Sequence, residues 1–322
     1  MKVLITGGAG FIGSNLADYH LEKGDEVYAI DNFLGSPHSN IKHLLTHKNF
    51  HFTNADLREC PELGDILGNV QRVYHLAALL GMFRILAHPV DTLDDNIKTT
   101  EVLLRTAKKQ KNKPVLLIAS SSEVYGNQIG PLYEDRPLIL EGTIKNHSNY
   151  PISKICDEGM ALAYYHEHKV PTVVLRIFNT IGKRQSGRYG MVVPRFIKQA
   201  VSGEPITLFG TGEQSRSFCD VRDTVCILDR LADNKKAIGE IVNIGNDAVI
   251  SIHDLAVKVK TLAGSSSKII YQPYDDVYHG GYVDIQQRQI DSKKLLSLTD
   301  YSYRYTLDDT INYLIAQARH ER

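Results

Sequence analysis

The sequence predicts an α/β protein built on a doubly wound parallel sheet. Short apolar runs alternate with helical segments through the first half of the 322-residue chain. Buried strands that alternate with helices of about 10–15 residues are typical of βαβ units and a parallel sheet. A glycine-rich turn follows the first strand, and the pattern becomes irregular in the second half. We therefore expect a large parallel sheet and a smaller C-terminal α/β lobe.

The elements of the first half follow from these apolar runs. Strands are predicted at Lys2–Thr6, Glu26–Ile30, Phe50–Asn54, Arg72–Leu76, Val115–Ser120 and Thr172–Ile177. Helices are predicted at Ile12–Lys23, Asn96–Gln110 and Tyr150–His168. The first of these helices has its apolar residues at helical spacing. Ser120 is expected to be the last residue of its strand.

The pattern changes after Asn179, which indicates a second lobe laid over the C-terminal edge of the sheet. Its predicted elements are the helix Pro194–Ser202, the strands Ile206–Leu208 and Glu240–Asn243, the helix Ser251–Leu262 and an irregular Tyr-rich region at Tyr271–Tyr282. We expect residues 1–178 to form the first domain, with a returning segment at about 215–248. Residues 179–322 mainly form the second.

Composition excludes several classes of function. Lys plus Arg and Asp plus Glu both number 37, so the formal net charge is zero and no basic excess exists to neutralise nucleic-acid phosphates. No apolar run reaches the roughly 18 residues of a membrane span, and the N-terminal residues do not resemble a signal peptide. The four cysteines (Cys60, Cys156, Cys219 and Cys226) lack metal-site spacing. We expect a cytoplasmic protein with reduced thiols and no metal.

The glycine-rich turn predicts a dinucleotide site. Gly7, Gly10 and Gly13 lie directly between a strand and a helix, which is the context in which such a turn can bring the backbone close to a pyrophosphate. Asp31 ends the second strand, where a carboxylate accepts hydrogen bonds from the adenosine ribose and repels a 2′-phosphate. Asp56, after the third strand, can meet the adenine. The pattern favours NAD over NADP in a Rossmann-type sheet.

The spacing Gly-x-x-Gly-x-x-Gly resembles the extended branch of the short-chain dehydrogenase/reductase superfamily. The H-L-A-A stretch at His75–Ala78 and Asn96 are similar to that branch as well. The resemblance implies the following cofactor-binding residues: Gly7, Gly10, Phe11, Ile12, Gly13, Asp31, Asn32, Asp56, Leu57, Leu76, Ala77, Ala78, Asn96, Tyr150, Lys154 and Ile177.

Tyr150 and Lys154 form the predicted catalytic pair. At positions i and i+4 of a helix, the two side chains share a face. A tyrosine is a poor base at neutral pH because its usual pKa is about 10. We expect the Lys154 ammonium and the positive charge of NAD⁺ to lower the pKa of Tyr150, which could then take a proton from a sugar hydroxyl.

The stretch A-S-S-S-E-V-Y-G, residues 119–126, supplies the other catalytic candidates. The family pattern implies that Ser121 hydrogen-bonds the reacting hydroxyl. Ser122 and Glu123 occupy the two positions at which the enzymes of this branch diverge. The residues at these two positions resemble Asp-Glu in sugar 4,6-dehydratases and Ser-Glu in UDP-glucuronate decarboxylases. Many 4-epimerases carry small neutral residues there. A capping or ion-pair role of Glu123 in a loop is the structural alternative.

The second half contains the stretches R-Q-S-G-R-Y-G-M-V-V-P-R-F, residues 184–196, and G-E-P-I-T-L-F-G-T-G-E-Q-S-R-S-F, residues 203–218. With them, the chain resembles nucleotide-sugar epimerases, dehydratases and decarboxylases over nearly its whole length. The resemblance implies that Asn179 contacts the sugar or the diphosphate and that strand Ile206–Phe209 lines the base pocket. Arg216 and Arg288 are implied as cations for the diphosphate, since an arginine fork donates two hydrogen bonds at once. The substrate-binding residues implied are Asn179, Val193, Leu208, Phe209, Arg216 and Arg288.

The resemblance implies oxidation at C4 by NAD and three possible fates of the 4-keto sugar. We place 4-epimerisation of a UDP-sugar first (UDP-glucose/UDP-galactose, or a related UDP-hexose or UDP-uronate) and decarboxylation of UDP-glucuronate second. Dehydration is disfavoured because Ser122 is not acidic. A non-catalytic NAD-binding sensor and a dehydrogenase that releases NADH are the rivals. The family also implies a homodimer.

Overall fold

The structure is a computed structural model that describes residues 1–140, 148–187, 191–277 and 285–320. Its strands are β1 (Lys2–Thr6), β2 (Glu26–Asp31), β3 (Phe50–Asn54), β4 (Arg72–His75), β5 (Val115–Ser121), β6 (Pro131–Leu132), β7 (Thr172–Ile177), β8 (Thr180–Ile181), β9 (Ile206–Phe209), β10 (Ser215–Ser217), β11 (Cys219–Asp220), β12 (Ile241–Ile244), β13 (Val249–Ser251), β14 (Ile269–Gln272) and β15 (Gln287–Ile290). Its helices are α1 (Phe11–Glu22), α2 (Leu63–Asn69), α3 (Met82–Ala87), α4 (Pro89–Ala107), α5 (Asn149–His168), α6 (Val192–Ser202), α7 (Val221–Asp233), α8 (Ile252–Leu262), α9 (Tyr274–Val277), α10 (Lys293–Thr299) and α11 (Leu307–His320).

Seven parallel strands form the central sheet in the order β3-β2-β1-β4-β5-β7-β12. The strand order reverses between β1 and β4, and the crevice at such a switch point is where open α/β sheets bind their ligands. The predicted doubly wound fold is confirmed.

The central strands read as continuous apolar runs because helices cover both faces of the sheet. On one face, α1 and α7 pack against strand residues such as Val3, Ile5 and Leu117. On the other face, α2, α4 and α5 pack against residues such as Leu4 and Ile118. Strand residues within one run thus alternate between two cores, and no polar face remains.

A separate core lies in the second half of the chain. It joins α6, α8 and α11 to β9 through residues such as Phe196, Leu255 and Ile311. A four-stranded sheet, β13-β10-β15-β6, and the pair β14–β9 complete this part. β12 pairs with β7 in the large sheet, although it follows β8–β11 in the chain. The domain limits given from the sequence remain a prediction.

Several element boundaries differ from the sequence expectation. β5 ends at Ser121 rather than Ser120, and α4 begins at Pro89 rather than Asn96. Proline at a first helical position is favoured because its fixed φ suits the helix and its missing N–H would have no helical partner. The expected irregular region, Tyr271–Tyr282, holds the last two residues of β14 and all of α9, while residues 278–284 lie outside the described ranges. Within those ranges, no helix is both long and apolar enough to cross a bilayer.

Candidate active site

A cavity of about 540 Å³ opens at the C-terminal ends of the parallel strands. Both halves of the chain line it. The glycine-rich turn after β1 lies on one side, and Arg216 and Arg288 of the four-stranded sheet β13-β10-β15-β6 lie on the other. All the catalytic and cofactor-binding residues predicted from the sequence lie on its wall, and so do five of the six predicted substrate-binding residues. The sheet topology therefore gathers these distant positions at one place.

The turn before α1 requires glycine at the positions where the backbone is crowded. Gly7 has a φ of +70°, and a Cβ there would lie 2.8 Å from the Ala77 nitrogen. A Cβ on Gly13 would lie 2.1 Å from the Gly7 carbonyl oxygen. The resulting bare backbone and the N-terminus of α1 face the cavity and form the cradle that a pyrophosphate needs.

Asp31 is fixed at the end of β2 by three donors. Its carboxylate accepts hydrogen bonds from the backbone nitrogens of Ala9 (3.0 Å) and Phe33 (2.7 Å) and from the Ser36 hydroxyl (2.9 Å). The carboxylate therefore keeps its place on the wall of the cavity without a bound ligand. This position fits the ribose of an adenosine.

Asp56 lies beyond Asp31 on the same wall. The Arg58 side chain contacts both of its carboxylate oxygens, at 2.9 and 2.8 Å, and Asn32 donates to it at 3.3 Å. These hydrogen bonds hold the pKa of Asp56 below its usual range. A stable acceptor thus stands where the sequence expected contact with the adenine.

Asn96 joins three elements beneath the cavity. Its side-chain oxygen accepts a hydrogen bond from the Leu79 nitrogen (2.7 Å), and its side-chain nitrogen donates to the Ser153 hydroxyl (3.0 Å). It thereby ties α4 to the loop after β4 and to α5. This contact holds the helix that carries Tyr150 and Lys154.

Tyr150 lies on α5 near the end of β5, where it interacts with both Ser121 and Glu123. Burial, followed by the negative charge of Glu123, raises the pKa of Tyr150, whereas a hydrogen bond with Ser121 and the charge of Arg288 act in the opposite direction. The Lys154 ammonium faces the Asp157 carboxylate at 3.0 Å. The joint lowering of the Tyr150 pKa by Lys154 and NAD⁺ stays a prediction.

The three serines of the A-S-S-S-E stretch have different surroundings. The Ser121 hydroxyl accepts a hydrogen bond from the Glu123 nitrogen (3.2 Å) and thereby caps the short 3₁₀ turn Ser122–Tyr125. Ser122 is buried as the first residue of that turn. Ser120 donates to the buried Glu158 carboxylate at 2.6 Å, away from Tyr150. Of these three, Ser121 is therefore the hydroxyl beside Tyr150.

Arg288 lies closer to the catalytic centre than a purely diphosphate-binding role requires. Its guanidinium is 3.7 Å from the Glu123 carboxylate, and the side chains are 12% and 29% exposed. The Arg288 Nε is buried and has no hydrogen-bond partner among the described residues. A cation and an anion therefore stand together next to Tyr150.

The remaining candidates for substrate binding, except Leu208, line the side of the cavity that the second half of the chain forms. Asn179 donates to the Ser217 carbonyl at 3.1 Å, while Val193, Phe209 and Arg216 lie on the wall. Leu208 does not line the cavity, because its side chain is fully buried in the core of the second half. Successive side chains of a strand point to opposite faces, so β9 presents Phe209 and not Leu208.

Several residues on this wall are not among the candidates that the sequence predicts. The Arg195 guanidinium stacks over the Phe209 ring at 3.9 Å, and Gln214 donates to the Tyr274 hydroxyl at 2.8 Å. Arg195 and Gln214 lie in stretches whose resemblance was recognised, so the motifs could have indicated them. Tyr274 lies in the region expected to be irregular, and no pattern singled it out.

These features define a dinucleotide-dependent enzyme of the extended short-chain dehydrogenase/reductase class. The sheet carries a glycine cradle, an acid at the end of β2 and a tyrosine–lysine pair next to β5. The model of a family described as the NAD dependent epimerase/dehydratase family matches residues 3–245, and the chain belongs to that family. Its cofactor is accordingly NAD.

Individual relatives act on nucleotide sugars. The chain is 33% identical over 317 residues to the UDP-N-acetyl-alpha-D-glucosaminuronate decarboxylase of Bacillus cytotoxicus, covering 97% of each chain. It is 34% identical over 325 residues to UDP-glucuronic acid decarboxylase 1 of Danio rerio, covering 99% of this chain and 74% of the relative. The UDP-glucuronic acid 4-epimerase of Bacillus cereus, solved with UDP-glucuronic acid and NAD, superposes with a TM-score of 0.89 at 29% identity over 100% of both chains.

The fold, the site and these relatives agree on the enzyme class. The chain is an NAD-dependent enzyme of the nucleotide-sugar epimerase, decarboxylase and dehydratase group.

Proposed function

We propose that the enzyme acts on a UDP-linked hexuronic acid and releases its C5 carboxyl group as CO₂ from a 4-keto intermediate. The observation that carries the proposal is the Glu123 carboxylate, which lies beside Tyr150 and pairs with Arg288. The sequence alone placed 4-epimerisation first. The similarity to decarboxylases and the pair of Glu123 and Arg288 favour decarboxylation over 4-epimerisation.

The first step needs a base at the C4 hydroxyl. NAD, held by the glycine cradle and Asp31, would supply the acceptor for the C4 hydride and the donor for its return. Ser121 holds the C4 hydroxyl, and Tyr150 takes its proton as the ketone forms. Lys154, one helical turn further along α5, supplies positive charge at the floor of the cavity.

The second step breaks the bond between C5 and the carboxyl carbon. The C4 ketone is in the β position to that carboxylate, so it accepts the electron pair as CO₂ leaves. C5 then takes a proton, and reduction of the ketone gives a UDP-pentose. One uronate and one proton are converted into one pentose and one CO₂, with no net change in NAD.

Glu123 favours this fate by electrostatics. Two like charges about 4 Å apart near a protein surface repel by about 4 kcal/mol. A uronate carboxylate next to Glu123 is therefore destabilised, and the repulsion disappears as neutral CO₂ forms. Arg288 keeps Glu123 in place through its guanidinium, 3.7 Å away. Its additional role as a cation for the diphosphate stays a prediction.

The second candidate is 4-epimerisation of the same substrate class, in which the ketone turns and is reduced from its other face. The structural similarity to UDP-glucuronic acid 4-epimerase supports it. Both candidates require a uronate, and they differ only in whether the C5 carboxyl group is retained.

An incubation in D₂O separates the candidates. The purified enzyme with NAD is given UDP-glucuronate, UDP-N-acetylglucosaminuronate, UDP-glucose or UDP-N-acetylglucosamine, and the products are read by mass spectrometry and NMR. Decarboxylation gives a pentose or an acetamido pentose with one deuterium on C5. Epimerisation gives an inverted C4, unchanged composition and no carbon-bound deuterium. Turnover of the neutral sugars alone would contradict the uronate proposal.

Two expectations stay predictions: a homodimer, which the family implies, through the helices that lie side by side as α4 and α5, and a cytoplasmic location, which rests on the sequence composition. Sedimentation equilibrium tests the first, and fractionation of the source cells tests the second.

A further inference from the structure

A buried carboxylate contacts the catalytic lysine in this chain. Asp157 follows Lys154 by three residues on α5, and its carboxylate lies 3.0 Å from the ammonium nitrogen. The side chains are 0% and 2% exposed. The second oxygen of Asp157 has no hydrogen-bond partner among the described residues. None of the chemical steps derived above uses this carboxylate.

The neighbouring acid on the helix is engaged elsewhere. Glu158 accepts hydrogen bonds from Arg176 of β7 at 2.9 and 2.8 Å and from Ser120 of β5. Its charge is therefore compensated by a different cation. Lys154 is the only cation that pairs with Asp157 in the part of the chain that the structure describes.

The surroundings of the pair are polar but closed to water. Thr100 of α4 contacts Asp157, and its hydroxyl lies 3.1 Å from His75 Nε2 of β4, whose Nδ1 lies 2.7 Å from the Thr6 hydroxyl of β1. The titratable and charged groups facing Asp157, Lys154 or Tyr150 are His75, Glu123, Cys156, Glu158 and Arg288.

We propose that Asp157 is a positioning residue, whose carboxylate holds the Lys154 ammonium at the cavity floor and opposes formation of the Tyr150 phenolate. The inference rests on the proposed role of Tyr150 as the base. An anion behind the lysine offsets part of the positive potential that the lysine presents to the phenol. In agreement, the charge of Asp157 acts to raise the pKa of Tyr150.

Asp157 thereby affects the pH range in which Tyr150 can act as the base. As long as the carboxylate is charged, it holds the Lys154 ammonium in place, and the tyrosine ionises at a higher pH than the lysine alone would allow. Replacing the carboxylate by an amide keeps a hydrogen-bond acceptor for the ammonium and removes only the charge. The charge and the shape of Asp157 can thus be tested separately.

The experiment is a spectroscopic titration of the NAD-bound enzyme. The Tyr150 signal is the difference in phenolate absorbance at 295 nm between each protein and the same protein with Tyr150→Phe, which removes the contribution of the other tyrosines. Asp157→Asn is expected to shift the midpoint of this signal down by about one pH unit, which is a tenfold change in the ionisation constant. An unchanged midpoint, or a shift to higher pH, overturns the inference.

Further variants separate the inference from a folding defect. Asp157→Glu keeps the charge and should restore the midpoint of the unmodified enzyme. Cys156→Ser, at the exposed neighbouring position, should leave it unchanged. If Asp157→Asn does not fold, Asp157→Ala is expected to shift the midpoint in the same direction, and an unshifted midpoint in that variant overturns the inference.

The acidic limb of kcat/KM for UDP-glucuronate gives the corresponding kinetic test, and in Asp157→Asn it should move down with the phenolate midpoint. A limb that stays in place overturns the inference. An active Tyr150→Phe enzyme would contradict the proposed base itself. An inactive Tyr150→Phe enzyme, together with an unshifted Asp157→Asn titration, contradicts only the role of Asp157.

Discussion

The Arg176 guanidinium donates to both carboxylate oxygens of Glu158, at 2.9 and 2.8 Å, directly beneath the catalytic end of β5. The side chains are 3% and 5% exposed, so water does not screen the pair. Ser120 adds a hydrogen bond of 2.6 Å to the same carboxylate. This cluster joins β5, β7 and α5, the three elements that position Ser121 and Tyr150.

Arg176→Met is expected to lower the free energy of unfolding by about 3–5 kcal/mol, because it leaves the Glu158 carboxylate buried without its cation. The measurement is urea unfolding followed by circular dichroism. Arg105→Met is the matched control, since Arg105 pairs with Glu101 on the exposed surface of α4 and should change stability by less than about 1 kcal/mol. Equal effects of the two substitutions would contradict a special role of the buried pair.

Glu123→Gln is expected to slow CO₂ release from UDP-glucuronate about 100-fold, equivalent to nearly 3 kcal/mol, while C4 oxidation continues. The amide keeps the size of the side chain but removes the charge that repels the substrate carboxylate. The two steps are followed separately, by absorbance at 340 nm and by trapped ¹⁴CO₂. Glu240→Gln, at an exposed pair with Lys294, is the control. Undiminished CO₂ release would refute the electrostatic role of Glu123.

Tyr150→Phe is expected to reduce turnover by about 10²–10⁴-fold, the range of a lost general base, with NAD still bound. The variant keeps the ring and loses only the hydroxyl. Turnover is measured as consumption of UDP-glucuronate, and bound NAD by absorbance after denaturation. Tyr164→Phe, on the same helix but packed against Lys108 and His168, should retain activity. A Tyr150→Phe enzyme with normal turnover would remove Tyr150 from the mechanism.

The sequence was sufficient for the sheet and for the cofactor cradle because both depend on local patterns. A strand covered by helices on both faces must be apolar throughout, which marks β1, β5 and β7. The turn needs glycine where a Cβ would meet backbone atoms, as at Gly13, and that requirement is visible as spacing. The pair of Tyr150 and Lys154 is likewise local, since both lie on one helix.

Contacts between distant parts of the chain could not be read in this way. Arg288 meets Glu123 because β15 pairs with β6, a two-residue strand that no pattern predicts. Leu208 and Phe209 were expected to act together, but the pleat of β9 sends them to opposite sides. Asp157 stands next to known motif residues, yet its contact with Lys154 depends on a side-chain rotamer and on the burial that α4 provides.

Asp31→Asn is expected to lower the preference for NAD over NADP at least about tenfold. The carboxylate is held in place by three donors, so a 2′-phosphate cannot displace it and meets its charge directly. Dissociation constants for both cofactors are measured by calorimetry on protein freed of nucleotide. Asp65→Asn, at an exposed position of α2, should leave the preference unchanged. An unaltered preference in Asp31→Asn would show that other residues exclude the 2′-phosphate.

His75 makes stability depend on pH on the acidic side. Burial lowers the pKa of His75 to about 3, from an ordinary value of 6.5. Below pH 6.5 the unfolded chain binds a proton that the folded protein does not, so the stability present above this pH is lost as the pH falls toward 3. The share of His75 in this loss is about 2 kcal/mol between pH 7.5 and pH 5.

The measurement is urea unfolding at pH 7.5 and pH 5, for the unmodified protein and for His75→Asn. The variant is less stable at pH 7.5, because the imidazole links the Thr6 and Thr100 hydroxyls, but it should lose about 2 kcal/mol less on acidification. His320→Asn, at the exposed end of α11, should leave the acid-side loss intact. An identical loss in His75→Asn and in the unmodified protein would mean that His75 takes up its proton as readily in the folded state as in the unfolded state. The acid sensitivity would then have to come from another buried group, of which His20 is the first to test, since burial lowers its pKa as well.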